Sequence, residues 1–379
     1  MIPPRPPKRL PHIGPLFDAL RRRRHGDAMD GPCACARQGL FAGVEGGPRR
    51  GHVVDEEDRS APQGDGPADL EGARDVGDSR RAIERRLLPR RPGAHEGVWP
   101  ERGAEVPRVA REPPAQKRRL VEAAAAKGLR LGSAPDTFLG GAHQTARRAI
   151  DEGLIGRPIG GAAFFMCPGH ERWHPNPGFY YLAGGGPMLD MGPYYVTDLV
   201  NLLGPVASVS GVATRTRSER IVTSQPLAGT RAPVEVATHV TGTLMFGSGA
   251  AVSMTMSFDV ARHRHGPIEL YGETGSLIVP DPNHFGGKVE FATASEDWLE
   301  IPTQGPYADG NYRIVGLADM AQAIRSGRPH RASGELAFHV LEVMEAFQTS
   351  SDAGKSVAIS SRPQRPAPLP SSLRVGELD

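Results

Sequence analysis

From Leu120 onward the chain alternates between two hydrophobic spacings, one helical and one of period two. Leu120–Lys127 (LVEAAAAK) is an alanine-rich helix former closed by Gly128. Leu129–Ala134 has the spacing of a short strand, and Pro135-Asp136-Thr137 turns the chain. Gln144–Glu152 is helical up to Gly153, and Ile159–Met166 is a strand. Pro187–Leu203 is predicted helical, directly after the glycines 184–186. Beyond Pro205 strand-like runs dominate: Ala207–Thr216, Val234–Phe246, Ala250–Val260, Pro267–Val279, Lys288–Phe291 and Trp298–Ile301. Turn signals such as Phe246-Gly247-Ser248-Gly249 separate them. Two more helices follow, Ile314–Arg325 and Glu335–Thr349. Runs of strands followed by helices predict an α+β fold, one sheet with helices on one face. The Pro-rich stretch Arg362–Pro370 is expected to be unstructured.

The pattern breaks down towards the other end. Up to Arg118 no periodic apolar segment lasts beyond one or two turns. Short helices are conceivable at Leu16–Arg24 and Arg80–Leu88. This stretch holds 21 Arg against 2 Lys, with 18 acidic residues, 16 Pro and three aromatics. Its net charge is +5, so the remainder carries −3 of the total of +2. A segment so poor in apolar side chains cannot offset its ordering entropy, and disorder is expected. Three local signals within it stay weak. Arg21–Arg24 is a basic run that reads more simply as a solvated face. Cys33-Ala34-Cys35 lacks the second Cys/His pair of a zinc site. Gly39–Gly47 (GLFAGVEGG) does not have GxGxxG spacing, and no strand leads into it.

Composition narrows the class. The 379 residues include 47 Gly and 36 Pro, which averages two unlike regions. A near-neutral charge argues against a nucleic-acid partner. No apolar run reaches 18 residues, which argues against a membrane one. The start MIPPRPPKRL has no signal-peptide h-region, and three cysteines cannot form a disulfide framework. A cytoplasmic setting is therefore expected.

Five stretches carry a resemblance to the Gfo/Idh/MocA oxidoreductases, the glucose–fructose oxidoreductases, inositol dehydrogenases and their relatives. They are Gly128–Gly141 (GLRLGSAPDTFLGG), Gln144–Gly156 (QTARRAIDEGLIG), Gly184–Gly204 (GGGPMLDMGPYYVTDLVNLLG), Ile268–Val279 (IELYGETGSLIV) and Gly327–Met344 (GRPHRASGELAFHVLEVM). The resemblance implies an NAD(P)-dependent oxidoreductase acting on a sugar, polyol or related carbinol. It also implies a C-terminal domain with an open, mostly antiparallel sheet whose free face serves homo-oligomerisation. It divides the chain into an unmatched segment 1–118, a remnant of the dinucleotide-binding domain at 119–138, a substrate and oligomerisation domain at 139–360, and a disordered tail at 361–379.

The same resemblance nominates site residues. Tyr194 stands where the family often has His, with Tyr in the glucose–fructose oxidoreductase branch, and is expected to act as acid/base. Asp190, four residues earlier, is its expected substrate-facing partner on one helical face. Pro193 must kink that helix or lie near its start. A phenol needs a nearby cation to serve as a base at neutral pH. The plainer alternative has Asp190 capping the helix and Tyr194-Tyr195 in the core. His170, Trp173 and His174 lie in the loop GHERWHPNPG and suit sugar binding by stacking and hydrogen bonding. Gly185 and Gly186 would let a substrate approach the backbone closely. Ala134, Pro135 and Asp136 resemble the family's segment beside the nicotinamide. No metal site is expected: Cys167 is read as inert, His263 and His265 as a solvated turn, and His330-Arg331 as a connection between helices.

Two family features are missing. No strand, GxGxxG turn and helix occurs in the first 118 residues, so the Rossmann domain is degenerate or absent. The family's EKP lysine has no match, since Glu105-Val106-Pro107 places Val106 at its position. The Arg/Pro/Gly/Ala-rich composition is what out-of-frame translation of a GC-rich gene gives, rejoining the true frame near Lys117. The rival readings are a non-catalytic sugar-binding or oligomerisation module without cofactor, and a nucleic-acid or surface binder using the basic arm.

Overall fold

A computed structural model describes residues 114–379. Everything read from the Arg-rich segment before them, including the two short helices, Arg21–Arg24, the CxC pair and the glycine run, lies outside the described residues.

The chain enters through α1 (Pro114–Ala126) and turns at Thr137–Leu139 into α2 (Gly141–Asp151). Strand β1 (Pro158–Met166) follows, then two single turns at His170–Arg172 and Gly178–Tyr181, then α3 (Pro187–Leu203). The strands after it are β2 (Val206–Thr214), β3 (Glu219–Ile221), β4 (Arg231–Pro233), β5 (His239–Phe246) and β6 (Ala251–Ser257). Next come β7 (Ile268–Gly272), β8 (Ser276–Val279), β9 (Val289–Thr293) and β10 (Glu296–Ile301). Helices α4 (Val315–Ser326) and α5 (Gly334–Ala353) precede a short edge strand, β11 (Val357–Ala358).

Among the described residues the main sheet has nine strands in the order β10-β9-β8-β7-β1-β6-β5-β2-β11, while β3 and β4 form a separate hairpin. Strand β1 pairs with β6 in parallel, and the other neighbours run antiparallel. The expected open, mostly antiparallel sheet is thus what forms. Its helix-covered face buries Val209, Leu244, Val252 and Leu270 against Leu199 and Val200 of α3 and Val343 and Phe347 of α5. Small residues set how closely α5 can approach. A Cβ at Gly211 would lie 2.8 Å from Cδ1 of Phe347, and one at Gly242 would lie 3.0 Å from its Cε1. The two glycines make the slot that Phe347 fills. Ser333 caps α5, its Oγ accepting from the Leu336 amide at 3.2 Å.

Several boundaries differ from the sequence reading for physical reasons. Leu129–Ala134 does not make a strand. It is held by one bridge, Gly132 to Ser333, because the described residues offer no strand beside it. The Pro267–Val279 run folds back on itself at Glu273-Thr274-Gly275 to give β7 and β8. Helix α3 runs through Pro193 to Leu203, with Pro187 at its first turn and Gly204 at φ +88° ending it.

The Pro-rich stretch expected to be unstructured is packed instead. Its backbone carbonyls are acceptors that prolines cannot pair among themselves, and arginines of the domain take them. Arg147 donates to Pro366 O at 3.0 Å, and Arg331 to Ala367 O and Pro368 O at 3.0 and 3.1 Å. Leu369 is buried, and its amide donates to Gln144 Oε1 at 2.7 Å. Arg365 reaches back to Asn201 O, Leu202 O and Asp151.

Candidate functional site

The end of β1 leads through Cys167-Pro168-Gly169 into the His170–Arg172 turn, which a buried ionic cluster fixes from below. Arg220, on β3, reaches Glu171 Oε1 at 3.0 Å and also bonds Asp259. Tyr181 donates its hydroxyl proton to Glu171 and accepts from the His170 amide at 3.1 Å. Thr238 donates to Asp259 at 2.6 Å. Burial and the Glu171 hydrogen bond push the Tyr181 phenol well above its ordinary value, so it stays a donor. Among the described residues nothing accepts a hydrogen bond from the buried Arg220 Nε. A small apolar cluster of Tyr181, Val222, Ala232, Val234 and Phe258 encloses this group. Charges so buried hold geometry only as a set.

Above the cluster, His170 joins two of the residues nominated from sequence. Its Nδ1 lies 3.1 Å from Trp173 Nε1, and its Nε2 lies 3.0 Å from Asp190 Oδ2. An indole N–H only donates, so Nδ1 must accept, and the ring proton sits on Nε2 facing the carboxylate. The His170 ring also packs on Tyr180 and Phe258, each centroid 4.5 Å away. Trp173 remains exposed. His174 lies edge-on to Phe179 and Tyr180, with its Nδ1 accepting from the Asn176 amide at 3.0 Å. An exposed aromatic surface therefore adjoins a His–carboxylate pair.

Asp190 lies in the first turn of α3 and Tyr194 one turn on, as the four-residue spacing requires. They have different partners. Asp190 bonds His170 rather than capping the helix, and the half-buried Tyr194 accepts from Arg313 Nη1 at 2.9 Å. Its neighbour Tyr195 is the one buried in the core. Gly185 and Gly186 have a packing reason to be glycine. A Cβ on Gly185 would lie 2.5 Å from Phe179 O, and Gly186 has φ +91°.

Ala134 and Pro135 line a groove of about 510 Å³ between α1, α3 and α5, with Leu189, Pro193 and Leu341 on its other walls. The Asp136 carboxylate is engaged by α4. Its Oδ2 accepts from the Ile314 and Gly316 amides at 3.0 and 2.9 Å and so holds the start of α4.

The remaining sequence candidates are structural. Burial pushes the Cys167 thiol up to about 11. His263 donates to Met166 O at 3.1 Å and the exposed His265 stacks on Phe164, so the solvated turn is anchored to the sheet by two ring contacts. Arg331 is buried between α4 and α5 against Asp319, as the connection reading expected. Among the described residues no group of three His, Cys, Asp or Glu is arranged to hold a metal. No described helix is long and apolar enough to cross a membrane. Sequence reasoning missed Glu171, Arg220, Asn283 and Arg313. Their partners lie far along the chain, and no local motif marks them.

Residues 143–278 match the family model of the GFO/IDH/MocA C-terminal domain. The chain carries a Gfo/Idh/MocA C-terminal domain. No curated protein matches it in sequence. Among solved structures, an NAD-binding oxidoreductase from Klebsiella pneumoniae aligns over 65% of this chain and 71% of its own, at 20% identity and a TM-score of 0.55. Levoglucosan dehydrogenase in complex with NADH and L-sorbose aligns over 65% and 70%, at 19% identity and 0.54. An oxidoreductase domain protein from Kribbella flavida aligns over 65% and 71%, at 23% identity and 0.54. At these identities the likeness is one of fold.

The Gfo/Idh/MocA family is one of oxidoreductases, which implies a nicotinamide dinucleotide at the level of the family. A pyrophosphate is held by a glycine turn between a strand and a helix N-terminus. Gly128–Pro135 makes no strand. The described residues do not fit the cofactor's phosphates.

Proposed function

We propose that the chain is the substrate-binding part of a Gfo/Idh/MocA oxidoreductase whose ligand is a sugar, polyol or related carbinol. The observation that carries this reading is the Trp173–His170–Asp190 chain of hydrogen bonds, with Tyr194 one helical turn beyond. A sugar presents an apolar ring face beside several hydroxyls. Trp173 offers the stacking surface, Asp190 accepts a ligand hydroxyl, and Tyr194 handles a proton at a ligand oxygen. His170 fixes the Asp190 carboxylate from behind. The levoglucosan dehydrogenase complex with NADH and L-sorbose supports the substrate class and a nicotinamide cofactor at the level of the family.

The missing glycine fingerprint favours a second reading for the chain as it stands, a sugar-binding module that does not hold the cofactor. Calorimetric titration separates the two. NADH and NADPH are titrated against the full chain, then L-sorbose, D-glucose and myo-inositol. Sugar binding with dinucleotide affinity weaker than millimolar supports the binding module. Sub-millimolar dinucleotide affinity supports the oxidoreductase. No heat with any of the sugars overturns the site.

The sheet face away from the helices is the surface proposed for homo-oligomerisation. The register places Val212, Thr241, Thr255 and Phe164 in one row across it, with Met245 and Tyr271 on the same side. Sedimentation of the full chain tests this, and a monomer at tens of micromolar would sink it.

A further inference from the structure

A guanidinium has five N–H donors and no acceptor. Whatever bonds to Arg313 must offer it a lone pair. Arg313 Nη1 lies 2.9 Å from the Tyr194 hydroxyl, while Nη2 donates to Asn283 O at 3.0 Å and Oδ1 at 2.6 Å. The Tyr194 oxygen is thereby an acceptor towards Arg313, and its own proton must point elsewhere. Among the described residues no acceptor takes it. We infer that Arg313 is a positioning residue, which fixes the Tyr194 hydroxyl so that its proton is presented to an oxygen of the bound sugar or polyol. The inference rests on the reading of this site as a carbinol-binding one.

The surroundings hold Arg313 in place from two directions. On one side the next residue, Ile314, has φ +112°, a left-handed conformation that a β-branched residue adopts only when its neighbours impose it. Asp136 imposes it, accepting from the Ile314 and Gly316 amides. On the other side Asn283 sits in a loop tied down twice. Its amide donates to Asp281 Oδ1 at 3.0 Å, and His143 Nε2 donates to His284 O at 2.9 Å. The guanidinium carbon also lies 5.3 Å from the Tyr194 ring centroid. Backbone strain beside an exposed arginine, relieved nowhere by core packing of that side chain, is how a fold stores orientation for use at a site.

The arrangement differs from the family's lysine in kind. The missing EKP lysine would arrive from the N-terminal domain, whereas Arg313 comes from the loop before α4 and reaches the phenol from within the described residues. Arginine suits this use better than lysine, because its planar fork can bond Tyr194 and Asn283 at once.

Two measurements on the full chain test the inference. The first needs no ligand. With tyrosine labelled at 13Cζ, the Tyr194 resonance is assigned by its loss in Tyr194→Phe. It should move in Arg313→Met and lie between the two in Arg313→Lys, while the Tyr181 and Tyr195 resonances stay fixed. An unmoved Tyr194 resonance in Arg313→Met overturns the contact. The second is a double-mutant cycle on L-sorbose affinity by calorimetry. Arg313→Met should weaken binding about fivefold with Tyr194 present and leave it unchanged in the Tyr194→Phe background. Equal losses in both backgrounds overturn the inference, since Arg313 would then act directly on ligand or on the fold. If Tyr194→Phe weakens binding and Arg313→Met does not, the inference fails while the site reading stands. If the unmodified chain binds no sugar, both fall together.

Discussion

The indole nitrogen of Trp173 lies 3.1 Å from Nδ1 of His170 and settles which ring nitrogen of that histidine carries the proton. The consequence is a one-way chain of donors from Trp173 through His170 to Asp190. Trp173→Phe keeps an aromatic surface and removes the donor. In 15N-imidazole NMR at neutral pH, His170 should be an Nε2–H tautomer in the native chain and a mixture in Trp173→Phe. Sugar affinity should fall about five- to tenfold, the worth of roughly one hydrogen bond. A single tautomer in both proteins would refute the assignment.

Tyr194 is the proposed proton-handling group, and Tyr194→Phe keeps its ring packing. If a dinucleotide-dependent turnover is found for the full chain, this substitution should lower it by about 10²–10⁴, the scale of acid/base loss. An unchanged rate removes Tyr194 from the reaction.

Arg220→Met should destabilise the domain by about 3–5 kcal/mol, because Glu171 and Asp259 are left buried without their cation. Urea unfolding measures it. A loss below about 1 kcal/mol would mean that water reaches the cluster.

Two buried histidines give stability opposite pH slopes. Burial of His339 lowers it to about 4, with Nε2 accepting from the Val206 amide and Nδ1 donating to Ser361. The unfolded chain takes up this proton near pH 6.5, so stability is full above that and declines as pH falls towards 4. The loss at full effect is roughly 3 kcal/mol. His143 behaves in reverse. Burial disfavours its charge, but Asp198 at 2.8 Å outweighs that and raises it. With a carboxylate on one ring nitrogen and the His284 carbonyl on the other, both nitrogens donate. Its contribution is complete below pH 6.5 and lost as pH rises through its raised value. Thermal unfolding from pH 4 to 9 should show His339→Gln flattening the acid limb and His143→Gln the alkaline one. A single substitution flattening both limbs would contradict the assignment.

The strands, α3 and α5 were legible because their hydrophobic period matches the face they bury. Leu129–Ala134 misled because a strand pattern needs a neighbouring strand, and the described chain supplies one bridge. Asp190 and Tyr194 were legible from motif resemblance, and their four-residue spacing placed them correctly on one helix. Their partners were not. His170 lies 20 residues from Asp190, and Arg313 lies 119 residues from Tyr194. Nothing periodic connects such pairs, so tertiary folding alone brings them together. The contact of the Asp136 carboxylate with the Ile314 and Gly316 amides, 178 and 180 residues away, was likewise invisible in the sequence.

The packing of the last twenty residues bears on the order of events in synthesis. Arg147 and Gln144, near the beginning of the domain, obtain partners at Pro366 and Leu369 that are 219 and 225 residues later in the chain. Before those residues are made, Arg147 already has Asp151 and Asn201 and the Gln144 amide has Phe138 O, but Gln144 Oε1 lacks the donor that Leu369 supplies. A chain cleaved before Pro366 therefore loses one cover of α2 and leaves the Gln144 carbonyl to solvent, a point at which proteases gain access.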